Sequence, residues 1–214
     1  MKLNLDSKCK GTQILFEKSA ALKRNLINEM IAYLSKYGYQ EISIPVLQKQ
    51  DSFASKIGKE NNNLMYCFKD SGDRDLCLAP EYTSIIQQLS QTYFKFKKDV
   101  RMFYVGECFR GEKPQAGRYR QFTQFGVEII NPTRDYMDDL IEMASNLVGF
   151  FIGAEDLKVD GDATRGLDYY TGKGFEISCE KLGSSKQIVG GGSYQGGIGF
   201  AIGIDRVLCY EKQA

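Results

Sequence analysis

Apolar residues Leu15, Leu22, Leu26, Met30 and Leu34 recur at helical spacing ahead of Gly38, which predicts a long amphipathic helix closed by a glycine C-cap. "QEISIPVL" (40–47) reads as extended, with Pro45 confining it to a sheet edge or strand end. In "LMYCFKDSGDRDLCLAPE" (64–81) two short apolar-rich runs flank Ser71, Gly72 and Asp73, the pattern of a β-hairpin. Residues 82–96, polar and aromatic, predict a helix. "VRMFYVGECF" (100–109) and "RQFTQFGVEII" (120–130) predict a second hairpin with a long connection. The helical period returns from Tyr136 to Phe151 through Met137, Leu140, Ile141, Ala144, Leu147 and Val148. Strands follow in "GFEISCE" and "GGIGFAIGI", and "DRVLCYEKQ" predicts a last helix. Hairpins interleaved with helices favour an α+β fold, an antiparallel β-sheet flanked by helices, over regular βα alternation.

Strand parity separates two faces, because alternate residues point to opposite sides of a sheet. Phe125, Val127 and Ile129 form a core face; Phe122, Gln124, Gly126 and Glu128 form a second, working face. On the outgoing strand, Phe103, Val105 and Phe109 oppose Tyr104, Gly106, Cys108 and Arg110, with Glu107 interrupting the apolar side. In "GGIGFAIGID", Gly197, Gly199, Ala201 and Gly203 alternate with Ile198, Phe200, Ile202 and Ile204, so one face is bulky and the other nearly flat. A flat face admits a planar ligand or a closely packed helix, and this segment alone does not choose between them.

The 214 residues, 43% hydrophobic and 26% charged, predict one compact domain spanning 1–214. The net charge of +1 supplies no global attraction to nucleic acid, so an anion site must be local. The connection of the second hairpin, "FRGEKPQAGRYRQF" (109–122), offers one, gathering Arg110, Lys113, Arg118 and Arg120 between phenylalanines. Six scattered cysteines without a CxxC pair, and no histidine, argue against a zinc site and for reduced thiols. No run approaches the ~18 apolar residues of a membrane span, so the expected location is cytoplasmic, with no membrane contact. Neither GxGxxG nor GxxxxGK[ST] occurs, and histidine-dependent triads are excluded. Arginines and carboxylates remain, the groups that stabilise a phosphoryl or acyl-phosphate transition state by charge and position.

"FYVGECFRGEKPQAGRYRQFTQFGVEI" resembles motif 2 of class II aminoacyl-tRNA synthetases in its histidyl form. "GGIGFAIGIDR" resembles motif 3, and "RGLDYYTGKGFE" is similar to the histidine-site signature of the histidyl-tRNA synthetase family. "KGTQIL", "SIPVL" and the 64–81 segment fall in the same order, so the resemblance covers most of the chain. It implies a class II synthetase-like catalytic domain that activates histidine with ATP and Mg²⁺ to histidyl-adenylate, then transfers it to the tRNA acceptor end. By the same resemblance Arg110 contacts the ATP α-phosphate, Glu112 with Arg118 or Arg120 serves the nucleotide, and adenine stacks between Phe122 and Arg206. Glu81 and Gln124 take the histidine α-amino group, with Thr83 beside them in the "APEYT" segment. Glu128 and Tyr170 read the imidazole, Tyr169 and Tyr194 complete the pocket, and Arg165 acts on the carboxylate and α-phosphate. The N-terminal helix and "ISIPVL" resemble motif 1, which implies a homodimer.

The sequence departs from the family pattern in three respects. The anticodon-binding domain that follows motif 3 in the family is not matched, and only residues 129–164 separate motif 2 from "RGLDYY", where members usually carry an insertion. Tyr82 and Ala79 replace a small and a larger polar residue beside Glu81, an expected change to the amino-acid pocket. Two alternatives therefore accompany the ligase reading: an adenylate-forming relative serving a non-tRNA acceptor, and a histidine-sensing regulatory subunit of ATP phosphoribosyltransferase.

Overall fold

The fold is taken from a computed structural model that describes residues 8–53, 56–163 and 168–211. The N-terminal helix α1 (Glu17–Lys36) buries Leu26, Ile27, Met30 and Leu34 along one stripe. Tyr37 caps it, and Gly38 follows at φ 74°, a left-handed conformation that suits glycine. The predicted extended segment divides into β1 (Gln40–Glu41) and β2 (Leu47–Lys49), with a short helix α2 (Gly58–Asn62) beyond. The first hairpin is β3 (Cys67–Lys69) and β4 (Asp75–Leu78). Its turn is tied by Asp70, whose carboxylate accepts from the Gly72 and Arg74 N–H groups at 2.8 and 3.0 Å.

Helix α3 (Thr83–Gln91) is shorter than the expected 82–96. The Thr92 N–H and hydroxyl both donate to the Gln88 carbonyl, and the Phe94 N–H reaches back to Leu89 at 2.9 Å, so the backbone widens into a turn. The β-branched and aromatic run "TYF" has little helix propensity to resist this.

The second hairpin comprises β5 (Val100–Phe109) and β6 (Gln121–Ile130), paired over ten residues from Val100↔Ile130 to Phe109↔Gln121. Helix α4 (Met137–Gly149) follows, then β7 (Leu157–Ala163), β8 (Tyr170–Cys179), β9 (Gln187–Tyr194), β10 (Gly197–Gly203) and the terminal helix α5 (Ile204–Glu211). The main sheet has the order β1-β5-β6-β10-β9-β8-β7, antiparallel throughout except that β1 runs parallel to β5. A small sheet, β2-β4-β3, stands apart from it.

Parity then divides the interior. Phe103, Phe125, Val127, Ile129, Ile198, Phe200 and Ile202 share a core with residues of α1, α4 and α5. The opposite face meets α3 and β4 through Tyr82, Ile86, Cys77, Met102, Tyr104 and Cys108. Burying one large apolar side chain stabilises by about 1.5–3 kcal/mol, so both faces of the sheet are strongly specified. Glu107, the exception on the apolar side, is answered from α1: Lys23 Nζ lies 3.4 Å from its carboxylate, and the Thr123 hydroxyl donates to it at 2.6 Å. No described helix is long and apolar enough to cross a membrane.

Candidate active site

Phe122 and Gln124 project from β6 into a cleft of about 130 Å³, joined by Arg110 just past the end of β5. The glycine-rich face of β10 supplies part of its floor through Ala201 and Gly203. Arg110 is oriented by its Nε donating to the Pro80 carbonyl at 2.9 Å, and its guanidinium lies 5.3 Å from the Phe122 ring centre. Arg206 opens α5; its Nε donates to the Gly117 carbonyl at 3.3 Å, and Nη1 bonds the Gln187 carbonyl. Burial, then the charges of Arg110 and Arg118, push Arg206 down to about 10. Glu112 forms an ion pair with Arg118 on the same wall. Of the three acids that share the lining with these three arginines, Glu112 is paired with Arg118 and burial raises Glu81 and Asp205, so positive charge is left to meet a phosphate.

Two buried carboxyl groups adjoin the cleft, Glu81 in its lining and Glu128 behind it. Glu81, 2% exposed, accepts the Ser84 N–H through both oxygens at 3.1 and 3.3 Å, capping the start of α3. Glu128, 1% exposed, accepts the Tyr194 hydroxyl at 2.7 Å and the Thr83 hydroxyl at 3.2 Å. Its carboxylate rests against Gly199, where any β-carbon would overlap it. Burial raises both acids, Glu128 to about 8, with its two hydroxyl donors opposing the shift. The Tyr169 and Tyr170 rings, 4.7 Å apart, close this side, and Tyr194 meets Tyr169 edge-on at 6.2 Å.

Arg110, Glu112, Arg118, Phe122, Arg206, Glu81, Thr83, Gln124, Tyr169 and Tyr170 are thus brought to one cleft. Glu128 and Tyr194 stand behind Thr83 rather than on the cleft wall. Arg120 is not brought in: its guanidinium donates to the Glu112 and Lys10 carbonyls at 3.1 and 3.4 Å. Phe122 is faced by Arg110, while Arg206 sits across the cleft on Gly117 and Gln187. Arg165 lies outside the described residues.

Tyr82 and Ala79 do not line the cleft, contrary to expectation. Tyr82 is buried over Gly106, donates its hydroxyl to the Glu107 carbonyl at 2.8 Å and packs 5.1 Å from the Tyr104 ring. The flat face of β10 serves two ends: Ala201 and Gly203 border the cleft, while Gly197 and Gly199 are filled by Tyr194 and Glu128. Sequence reasoning missed Tyr119, Gln187, Ile188, Gly190 and Asp205 among the lining residues. Asp205 fixes the strand–helix junction by accepting the Thr123 N–H at 2.6 Å, and its place one residue before Arg206 was the available signal.

A mostly antiparallel sheet carrying an arginine–phenylalanine hairpin beside a strand–helix arginine is the catalytic fold of class II aminoacyl-tRNA synthetases. The histidyl-tRNA synthetase family profile matches residues 11–160, and the chain belongs to that family. Histidine–tRNA ligase of Methanosarcina acetivorans is 28% identical over 305 aligned positions, covering 93% of this chain and 74% of that protein. Those 305 positions exceed the 214 residues here, so the relative carries segments this chain lacks within the matched span. The apo histidyl-tRNA synthetase of S. aureus superposes with a TM-score of 0.78 at 27% identity, over 96% of this chain and 70% of that one. An ATP phosphoribosyltransferase regulatory subunit/histidyl-tRNA synthetase from Bacillus halodurans shares the fold, with a TM-score of 0.74 at 16% identity over 97% and 83%.

Proposed function

We propose that this protein activates histidine with ATP to histidyl-adenylate and passes the histidyl group to the acceptor end of tRNA in the cytoplasm. The observation that carries this reading is one cleft that gathers Glu81 and Gln124 with Arg110, Phe122 and Arg206, Arg110 being held on the Pro80 carbonyl beside Glu81. An amino acid held by its ammonium group at Glu81 would direct its carboxylate towards a phosphate held by Arg110. The carboxylate is already an anion, so it attacks phosphorus without a protein base, and the protein's task is positioning and charge stabilisation. Arg206 and Phe122 offer opposite walls for a purine ring, and Arg110 turns from the Phe122 face to the α-phosphate. Arg165 is proposed to act on the same carboxylate and phosphate from the adjoining segment.

Among the described residues no cluster of three or more acidic or cysteine ligands is poised for a metal. Mg²⁺ would arrive on the nucleotide, because that ion is held by substrate phosphates and one or two carboxylates rather than by an all-protein cage. Glu112 is the carboxylate beside the proposed phosphate site, and Mg²⁺ would neutralise phosphate charge there.

The deciding experiment is amino-acid-dependent ATP–pyrophosphate exchange across the twenty amino acids. Histidine alone should support it; equal exchange with several amino acids overturns the histidine assignment. Histidine binding without exchange would point to a sensor, and adenylate never discharged onto tRNA to another acceptor. A homodimer through α1 and the 40–47 segment is part of the proposal. It is supported by the position of β1 at the sheet edge and by Leu47, 53% exposed. Sedimentation at micromolar concentration should show a dimer, and a monomer throughout contradicts it.

A further inference from the structure

The hairpin that leads into Glu81 carries two cysteines that the proposed activation does not use. Cys67 of β3 and Cys77 of β4 are register partners, and both are free thiols. The Leu78 N–H donates to the Tyr66 carbonyl at 3.0 Å, and the Asp70 N–H to the Arg74 carbonyl at 3.2 Å. These mark 66/78 and 70/74 as hydrogen-bonded pairs, so by the antiparallel alternation the 67/77 pair is non-hydrogen-bonded. The other edge of β4 agrees. The Ala79 N–H donates to the Val46 carbonyl at 2.9 Å, which turns the backbone groups of Cys77 towards its β2 partner Gln48 and away from β3.

Non-hydrogen-bonded pairs bring α-carbons to about 4.5 Å with both side chains on one face. That separation falls inside the roughly 4.4–6.8 Å that a disulfide spans. The next such pair along the hairpin shows that side chains do meet across it: Lys69 Nζ lies 3.8 Å from Asp75 Oδ1. Access is divided between the two thiols. Cys77 is fully buried with Ala79 and Tyr82, whereas Cys67 is exposed on the edge strand.

We propose that Cys67 and Cys77 form a thiol–disulfide couple that is closed by exchange with a small-molecule disulfide such as oxidised glutathione. The Cys67 thiolate attacks one sulfur of that reagent; its S–S bond breaks, a mixed disulfide forms and one small thiol departs. The Cys77 thiolate then attacks the Cys67 sulfur, closing the cross-strand bond and expelling the second small thiol. The two cysteine sulfurs each give up one electron, the reagent disulfide takes both, and the two cysteine protons end on the two released thiols. Burial, with the Asp75 charge, holds the Cys67 thiol above its ordinary range, and burial pushes Cys77 up to about 12. Closure therefore accelerates as pH rises. The bond would sit on the strand that runs through Ala79 and Pro80 into Glu81. The carbonyls of Ala79 and Pro80 accept from the Phe109 N–H and Arg110 Nε, each at 2.9 Å.

The test uses the whole chain, oxidised glutathione at mildly alkaline pH, alkylation of the remaining thiols, and intact-mass and peptide analysis. The readout is independent of any synthetase activity. The wild type should lose two hydrogens, yield the Cys67 and Cys77 peptides as one linked species, and revert with dithiothreitol. Cys67→Ser, a change at an exposed position, should leave Cys77 unlinked; Cys77→Ala should halt at a glutathione adduct on Cys67. A wild type that halts at the Cys67 adduct, or links Cys67 to Cys9 instead, overturns the proposal.

Discussion

Glu128 is a buried acid whose charge the fold opposes, and Glu128→Gln tests this. Burial lifts its carboxyl from 4.5 to about 8. A folded pKa above the unfolded one means that the native state binds more protons than the unfolded chain between those values. The stabilisation is therefore complete below about pH 4.5 and drains away as pH rises through about 8. At about 1.4 kcal/mol per unit, the loss is about 3 kcal/mol at pH 7 and approaches 5 kcal/mol above pH 8. Glutamine imitates the protonated acid and, with hydroxyl rotation, keeps the Thr83 and Tyr194 hydrogen bonds. Urea unfolding of the wild type and Glu128→Gln at pH 5, 7 and 9 should show the variant gaining about 4 kcal/mol relative to the wild type from the first pH to the last. Glu81, also raised, is present in both proteins and cancels to first order. On the proposed function the same variant should bind histidine roughly 10- to 100-fold more weakly, because a carboxyl that can ionise against a bound imidazole is lost. A stability difference that stays flat across the pH range would refute the reasoning, since it would mean that Glu128 titrates as an ordinary carboxylate.

Tyr82→Phe should destabilise by about 1 kcal/mol through loss of the bond to the Glu107 carbonyl. Calorimetry should find histidine affinity unchanged, because the ring lies outside the cleft; a tenfold change would place Tyr82 in the pocket. Gly199→Ala sets a methyl group against the Glu128 carboxylate and 2.5 Å from the Val127 carbonyl. Backbone yields little, so unfolding should show a loss of about 1–3 kcal/mol and histidine binding should fall with it; a neutral variant would mean that the two strands separate freely there.

How far this site could be read from the chain depended on where a period existed. Parity along β6 placed Phe122 and Gln124 on one face and Phe125, Val127 and Ile129 on the other, because ten paired residues hold the alternation in step. Gln187–Tyr194 was not read as a strand, since "GGG" offers no side chains to alternate; its pairing is fixed by β8 and β10 on either side. Glu107 looked like a fault in a core face, and only tertiary contact explains it, because Lys23 is 84 residues distant in sequence.

The arginines of the 109–122 connection show the limit most clearly. Arg110 follows directly on a strand, so its direction is inherited from the sheet, and it enters the cleft as parity requires. Arg118 and Arg120 have no such inheritance. They differ by two residues, the spacing that would put them on one side of a strand, yet the chain between them is not in regular pairing. The Gln115–Arg118 bridge turns the loop, so Arg118 meets Glu112 on the cleft wall while Arg120 is carried to the carbonyls of Lys10 and Glu112. The resemblance assigned one of the two to the nucleotide without choosing. The choice rests on which guanidinium can leave its present partner for a phosphate. Arg118, on the cleft wall and held by one carboxylate, has the shorter path; Arg120 would first abandon two backbone carbonyls and its packing against Gly11.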